Sequence, residues 1–122
     1  MLKPTEAELE ILQLLWKEGS SSVRQINDSI QSKREIGYTT TLKTMQIMHQ
    51  KGLVKRKEKG RGHLYTAVVS ELKTKKSLLK EFIQATFQGS TSKLVMQALG
   101  GSKTTKEELD EIKELITKLE NK

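Results

Sequence analysis

Between Tyr38 and Ala67 the chain reads YTTTLKTMQIMHQKGLVKRKEKGRGHLYTA, and within this stretch its periodicity changes from helical to extended at a single glycine. From Thr39 to Lys51, Thr41, Met45 and Met48 fall four and three residues apart, which predicts one apolar face on a helix of about three turns. Lys51-Gly52 then supplies a cation for the helix C-terminus and a residue able to take left-handed backbone angles, a helix stop. Leu53 to Arg56 and His63 to Ala67 are short β-capable runs separated by Lys57-Glu58-Lys59-Gly60-Arg61-Gly62, which predicts an antiparallel hairpin with a flexible glycine-containing tip. From Lys55 to Arg61 there are five cations (Lys55, Arg56, Lys57, Lys59, Arg61) against one acid, Glu58, so the hairpin projects positive charge where a phosphate backbone can lie.

A basic turn alone reads equally well as solvated surface. The helix before it tips the balance. Its outward face carries Thr39, Thr40, Lys43, Gln46 and Gln50, with Ile47 beside them: hydrogen-bonding groups for base edges and phosphates, and one apolar group for a thymine methyl. Without the hairpin the same pattern would describe an ordinary amphipathic surface helix. The candidate DNA-binding residues are therefore Thr39, Thr40, Lys43, Gln46, Ile47, Gln50, Lys57, Lys59 and Arg61.

Two capping boxes mark helices upstream, Thr5-Glu6-Ala7-Glu8 and Ser22-Val23-Arg24-Gln25. The first helix continues through Leu9, Ile11, Leu12, Leu15 and Trp16 to Gly19. The second runs through Val23, Ile26 and Ile30 to a polar loop from Gln31 to Gly37. Helix, helix, helix, hairpin is the order of a winged helix. The expected fold is mainly α with a small antiparallel β wing: a winged helix-turn-helix DNA-binding domain over residues 1–69 and a helical dimerisation region over 70–122. Leu2 and Lys3 are expected to add a short strand beside the wing.

After Val69 the helices become more polar. Ser70 caps a long one containing Leu72, Leu79, Phe82, Ile83 and Phe87, with Gly89 as its stop; a short helix follows from Ser92 to Leu99, and Gly100-Gly101 is expected to break the chain. Thr105-Lys106-Glu107-Glu108 forms a third capping box, after which Leu109, Ile112, Ile116 and Leu119 make an a/d seam of about one and a half heptads. That seam is too short for a free coiled coil, and the segment has too little apolar surface for a monomeric core. It needs a partner. Folding back onto the winged helix is one solution; a dimer arm using Leu79, Phe82, Ile83, Leu109, Ile112, Ile116 and Leu119 is preferred, because palindromic operators are read by two-fold symmetric proteins.

Charge and chemistry fit this division. The net charge of +7 splits into +5 for residues 1–69 (12 Lys/Arg, 7 Asp/Glu) and +2 for residues 70–122 (10 and 8). With no Cys there is no disulfide, thiolate metal site or cysteine nucleophile. His49 and His63 have no third ligand at metal spacing; Glu107, Glu108, Asp110 and Glu111 suit a helix N-terminus, and Met45, Met48 and Met96 suit core packing. No catalytic residue, metal or cofactor is assigned. No apolar stretch is long enough for a signal peptide or membrane span, so a cytoplasmic protein is expected.

Leu2-Lys3-Pro4-Thr5-Glu6-Ala7-Glu8, Leu15-Trp16, Val23-Arg24-Gln25-Ile26, Tyr38-Thr39-Thr40, Lys51-Gly52-Leu53-Val54, and Gly60-Arg61 with Tyr65 resemble, in order and spacing, the penicillinase-repressor family of bacterial transcriptional regulators. The resemblance covers nearly the whole chain. It implies a homodimeric repressor of a palindromic double-stranded operator. The copper-responsive branch carries Cys-x-Cys pairs, which this chain lacks. In the β-lactam-responsive branch a membrane sensor metalloprotease pathway leads to cleavage of the dimer arm at an Asn-Phe bond; matching Leu94-Val95-Met96 puts Gln97-Ala98 there instead. The family often has Arg where Ile47 stands and Thr where Lys43 stands, which implies a different operator. The competing reading is a winged-helix protein-interaction module, opposed by the lysines and the scarcity of aromatics.

Overall fold

The computed structural model describes residues 3–101 and 103–122. Along the chain lie α1 (Glu6–Glu18), β1 (Ser21–Ser22), α2 (Val23–Gln31), α3 (Tyr38–Lys51), β2 (Val54–Lys59), β3 (Gly62–Ala67), α4 (Glu71–Phe87), α5 (Thr91–Gly101) and α6 (Lys106–Glu120). They form two compact units, Met1–Leu78 and Leu79–Lys122. The first unit reaches nine residues past Val69 and takes in the opening turns of α4, where Thr74 is fully buried. Just ahead of those turns, the Trp16 Nε1–H of α1 donates to the Val69 carbonyl at 3.0 Å.

Local chemistry sets the ends of the first two helices. The Glu8 N–H donates to Thr5 Oγ1 at 3.2 Å while the Thr5 N–H donates to Glu8 Oε1 at 2.9 Å, and Ser22 and Gln25 repeat the exchange at the start of α2. Both capping boxes satisfy amides that a helix N-terminus otherwise leaves without partners.

The sheet has strand order β1-β3-β2, antiparallel throughout. Its third strand is Ser21–Ser22, paired Ser21 to Tyr65 and Ser22 to Leu64. The strand expected at Leu2 and Lys3 is not the one found: Lys3 is outside any strand, and Leu2 lies outside the described residues. Two serines carry no β-propensity signal; their position against the edge of β3 makes them a strand. The hairpin also differs from expectation. Strands β2 and β3 pair as far as Lys59 with Gly62, so the tip is the two residues Gly60-Arg61, and Lys57 and Lys59 are strand residues. Gly60 takes φ 62°, and a glycine at the first of two central positions lets a tight turn match the strand twist.

One core holds the first unit together: Ile11, Leu12 and Leu15 of α1, Val23, Ile26 and Ile30 of α2, Met45 and Met48 of α3, with Leu53, Val54 and Tyr65 from the wing. Two polar contacts sit beside it. Buried Thr41 Oγ1 donates to Asn27 Oδ1 at 2.6 Å, joining α3 to α2, and the Lys51 ammonium meets the buried Glu8 carboxylate, joining α3 to α1. Helix α3 ends in a Schellman arrangement: Gly52 has φ 82°, its N–H donates to the His49 carbonyl, and the Leu53 N–H donates to the Met48 carbonyl at 3.0 Å. Leu53 and Met48 belong to the same core, so the stop and the packing reinforce each other.

The second unit is far less buried. Ile83 is its one buried apolar side chain among the described residues. Helix α5 runs from Thr91 through both Gly100 and Gly101, so those glycines lie within its last turn, although a break was expected there. A glycine costs a helix about 1 kcal/mol relative to alanine, which weakens a last turn without forbidding it. Helix α6 starts with the Thr105–Glu108 capping box.

Candidate nucleic-acid interface

Helix α3 places its side chains by period alone. Thr41, Met45 and Met48 are fully buried, whereas Thr39, Thr40, Lys43, Gln46, Ile47 and Gln50 are all exposed. The six helix residues expected to face DNA thus share the solvent side of α3. Tyr38, Leu42 and Gln46, spaced four apart, form one wall of a cleft of about 310 Å³. Its other walls are Ser22, Val23 and Arg24 from the start of α2, and Arg61, Gly62, His63 and Tyr65 from the hairpin.

Strand pairing sorts the wing cations onto two faces. Val54, Arg56 and Glu58 alternate with Lys55, Lys57 and Lys59, and Arg56 lies opposite the buried Tyr65. The core-facing side therefore bears Arg56 and Glu58, and the outer side bears the three lysines, opposite Thr66, Leu64 and Gly62. Of the three wing cations expected at the interface, only Arg61 lines the cleft with Gln46; Lys57 and Lys59 stand on the outer face.

The cleft lining contains two arginines and a histidine but no acid. Arg24 holds its guanidinium 5.4 Å from the centroid of the Tyr38 ring. Neither residue was singled out as a DNA contact from the sequence. They are 14 positions apart with no shared periodicity, and only the packing of α2 against α3 brings them together.

Not every cation of this unit is available. Lys51 donates to both Glu8 carboxylate oxygens, at 2.8 and 2.9 Å, and Arg34 pairs with Glu10 at 2.6 Å. Burial pushes the Glu8 carboxyl up, but the Lys51 ammonium and the amide and hydroxyl of Thr5 outweigh it and hold Glu8 below its usual value. His49 is half-buried in the last turn of α3, and His63 packs edge-on to Tyr65 with ring centroids 6.2 Å apart. Among the described residues no group of three or more His, Cys, Asp or Glu could hold a metal, and no helix is long and apolar enough to cross a membrane.

In the second unit, Leu79, Phe82, Ile116 and Leu119 are exposed, Leu109 and Ile112 are half-buried, and Ile83 is buried within the single chain. Gln97 and Ala98 are exposed on α5.

Three helices that present the polar face of the third beside a basic two-stranded wing define a DNA-binding winged-helix protein. The penicillinase repressor family model matches residues 4–118, and the chain belongs to that family. It is 24% identical over 114 residues to the methicillin resistance regulatory protein MecI of Mammaliicoccus sciuri, covering 93% of each chain. It is 21% identical to the penicillinase repressor of Staphylococcus aureus (95% of this chain, 92% of the relative) and 23% identical to that of Bacillus licheniformis (97% and 92%).

Proposed function

We propose that the protein is a transcriptional repressor that binds a palindromic operator as a homodimer, reading bases with the outer face of α3 and holding phosphates with the wing. The observation that carries this reading is the exposed row of Thr39, Thr40, Lys43, Gln46, Ile47 and Gln50 beside an acid-free cleft walled by Arg24 and Arg61. Lys43 and Gln46 are the sequence readers, Ile47 meets a thymine methyl, and Thr39, Thr40 and Gln50 fix the register. Arg61 holds a phosphate beside α3, and Lys57 and Lys59 meet backbone along the outer wing face.

Dimerisation follows from what the second unit leaves uncovered. A segment that among its described residues buries only Ile83 as an apolar side chain, while exposing Leu79, Phe82, Val95, Met96, Leu115, Ile116 and Leu119, has too little core to hold its helices by itself. A second copy supplies the missing layer, and the seam of Leu109, Ile112, Ile116 and Leu119 is part of it. Ile83, buried within the single chain, lies on α4 with the exposed Leu79 and Phe82 and completes the dimer arm with them.

Release of the operator by cleavage at Gln97-Ala98, through a membrane sensor metalloprotease pathway, is the matching off switch. Helix α5 has no buried residue, so unwinding a turn to present an extended bond sacrifices little packing. A chain that stays intact when incubated with the matching activated sensor metalloprotease would remove this part alone.

The test is a salt-titrated binding assay against the DNA upstream of the protein's own gene and a scrambled duplex, with stoichiometry measured in parallel. The expected result is preference for the upstream DNA at two chains per site, with affinity falling steeply as salt rises. Lys43→Ala and Gln46→Ala are expected to reduce that preference; Arg61→Ala is expected to weaken both duplexes equally and lower the salt slope. Equal, weak binding to both duplexes would favour the protein-interaction module instead.

A further inference from the structure

Arg24 differs from the other arginines of the first unit in what it contacts. Arg34 is neutralised by Glu10, and Arg56 shares its wing face with Glu58. Arg24 makes no ion pair among the described residues; its guanidinium lies over the face of Tyr38, the first residue of the reading helix, on the wall of a cleft that contains no acid. A guanidinium held over a ring by cation–π attraction keeps its N–H donors for other acceptors, so the ring orients the group without consuming its hydrogen bonds. Arg61, at the tip of the hairpin, and His63 of β3 line the same cleft. Two arginines from different elements, Arg24 oriented by Tyr38 and Arg61 carried by the hairpin tip, line one acid-free cleft with the polar Gln46 and form a receptor for a chain of anionic oxygens.

We propose that Arg24, held by Tyr38, and Arg61 form a two-sided clamp for one DNA backbone strand passing between α3 and the wing, with Arg24 donating to a phosphate oxygen. The clamp rests on the DNA-binding function proposed above and adds to it a contact from α2. Tyr38 is a positioning residue: it starts the helix that reads bases, so the phosphate held by Arg24 and the base edges met by α3 are measured from one rigid element. This links backbone grip to base register. Because phosphates carry no sequence information, the contribution of Arg24 is the same for every duplex.

The test uses the full-length chain, the upstream duplex and the scrambled duplex, with affinity measured across a salt series. Arg24→Ala is expected to weaken both duplexes by the same factor, tenfold or more, and, with one phosphate lost by each of the two chains, to lower the slope of log affinity against log salt by about 2. Adding Arg61→Ala is expected to lower it by about 4 in all, since the two cations of each chain meet separate phosphates. Arg24→Lys keeps the charge and the slope but loses the planar guanidinium that Tyr38 orients, so affinity falls severalfold. Tyr38→Phe is expected to behave as the wild type, and Tyr38→Ala as Arg24→Lys. Wild-type affinity and slope for Arg24→Ala, with the wild type itself binding normally, would overturn the clamp and leave the repressor standing. A changed sequence preference with an unaltered slope would overturn it too, since that is a base contact. A wild type that binds neither duplex in a salt-dependent way would overturn both.

Discussion

Replacing Glu8 by glutamine separates the charge of the Glu8–Lys51 pair from the capping box, because glutamine still accepts the Thr5 N–H. The Glu8 side chain is 4% exposed and that of Lys51 27%, and the ammonium bonds both carboxylate oxygens. A hydrogen bond to a charged group contributes about 1.5–3 kcal/mol, and breaking a fully buried pair costs about 3–5 kcal/mol. Lys51 reaches water and the glutamine carbonyl still accepts one bond, so the expected loss for Glu8→Gln is about 1–2 kcal/mol. In a domain of this size that lowers Tm by roughly 5–15 °C at neutral pH. Because the folded carboxyl titrates below its ordinary value of 4.5, the unfolded chain binds the proton first as pH falls. The contribution is therefore complete above the unfolded value and is lost as pH falls through the lower folded value. Circular-dichroism melts from pH 7 to pH 3 should show the gap between wild type and Glu8→Gln closing in acid. Equal Tm at pH 7, or a gap independent of pH, would refute the charge argument.

Gly52→Ala tests the stop of α3. An added Cβ meets nothing within 4 Å, so the whole penalty is the left-handed backbone at φ 82°, about 1 kcal/mol or roughly 4–8 °C in Tm. An unchanged Tm would mean that the turn relaxes freely. Ile116→Asp in α6, where the side chain is 48% exposed, is expected to convert two chains to one in sedimentation at micromolar concentration while the winged helix stays folded. Retention of the two-chain mass would place the interface elsewhere.

The helices were legible because their signals are local. Thr5-Glu8, Ser22-Gln25 and Thr105-Glu108 each contain both partners of a capping box, and Thr41, Met45 and Met48 mark the buried stripe of α3 by spacing alone. What escaped depends on partners distant in sequence. Ser21 and Ser22 become a strand through Tyr65 and Leu64, and Arg24 meets Tyr38 because two helices cross. The hairpin was found but its tip was drawn too long, since strongly basic strands such as Lys55–Lys59 look like loop until the register is known. Ile83, expected in the dimer arm, is buried already within the single chain; an apolar residue in a helix marks a face without saying which neighbours cover it.

Burial alone does not fix how α3 is rolled about its axis, because Met45 and Met48 are flexible side chains that adapt to small rotations. The buried polar contacts do. Thr41 meets Asn27 of α2 and Lys51 meets Glu8 of α1, ten residues apart, which is about 15 Å along the helix and about 80° around it. Two directional bonds at different angles hold the helix against rotation. A roll of about 20° would carry a side-chain tip some 6 Å from the axis through about 2 Å, enough to spoil a bidentate base contact. Thr41→Val keeps the shape, removes the donor and leaves Asn27, 5% exposed, without its partner, at a cost of about 1–3 kcal/mol. It is therefore expected to reduce the ratio of upstream to scrambled affinity while leaving the salt slope at the wild-type value, since no phosphate contact is lost. That is the reverse of the signature expected for Arg61→Ala. A Thr41→Val protein that is less stable yet discriminates as well as the wild type would show that the core alone sets the orientation of the reading helix.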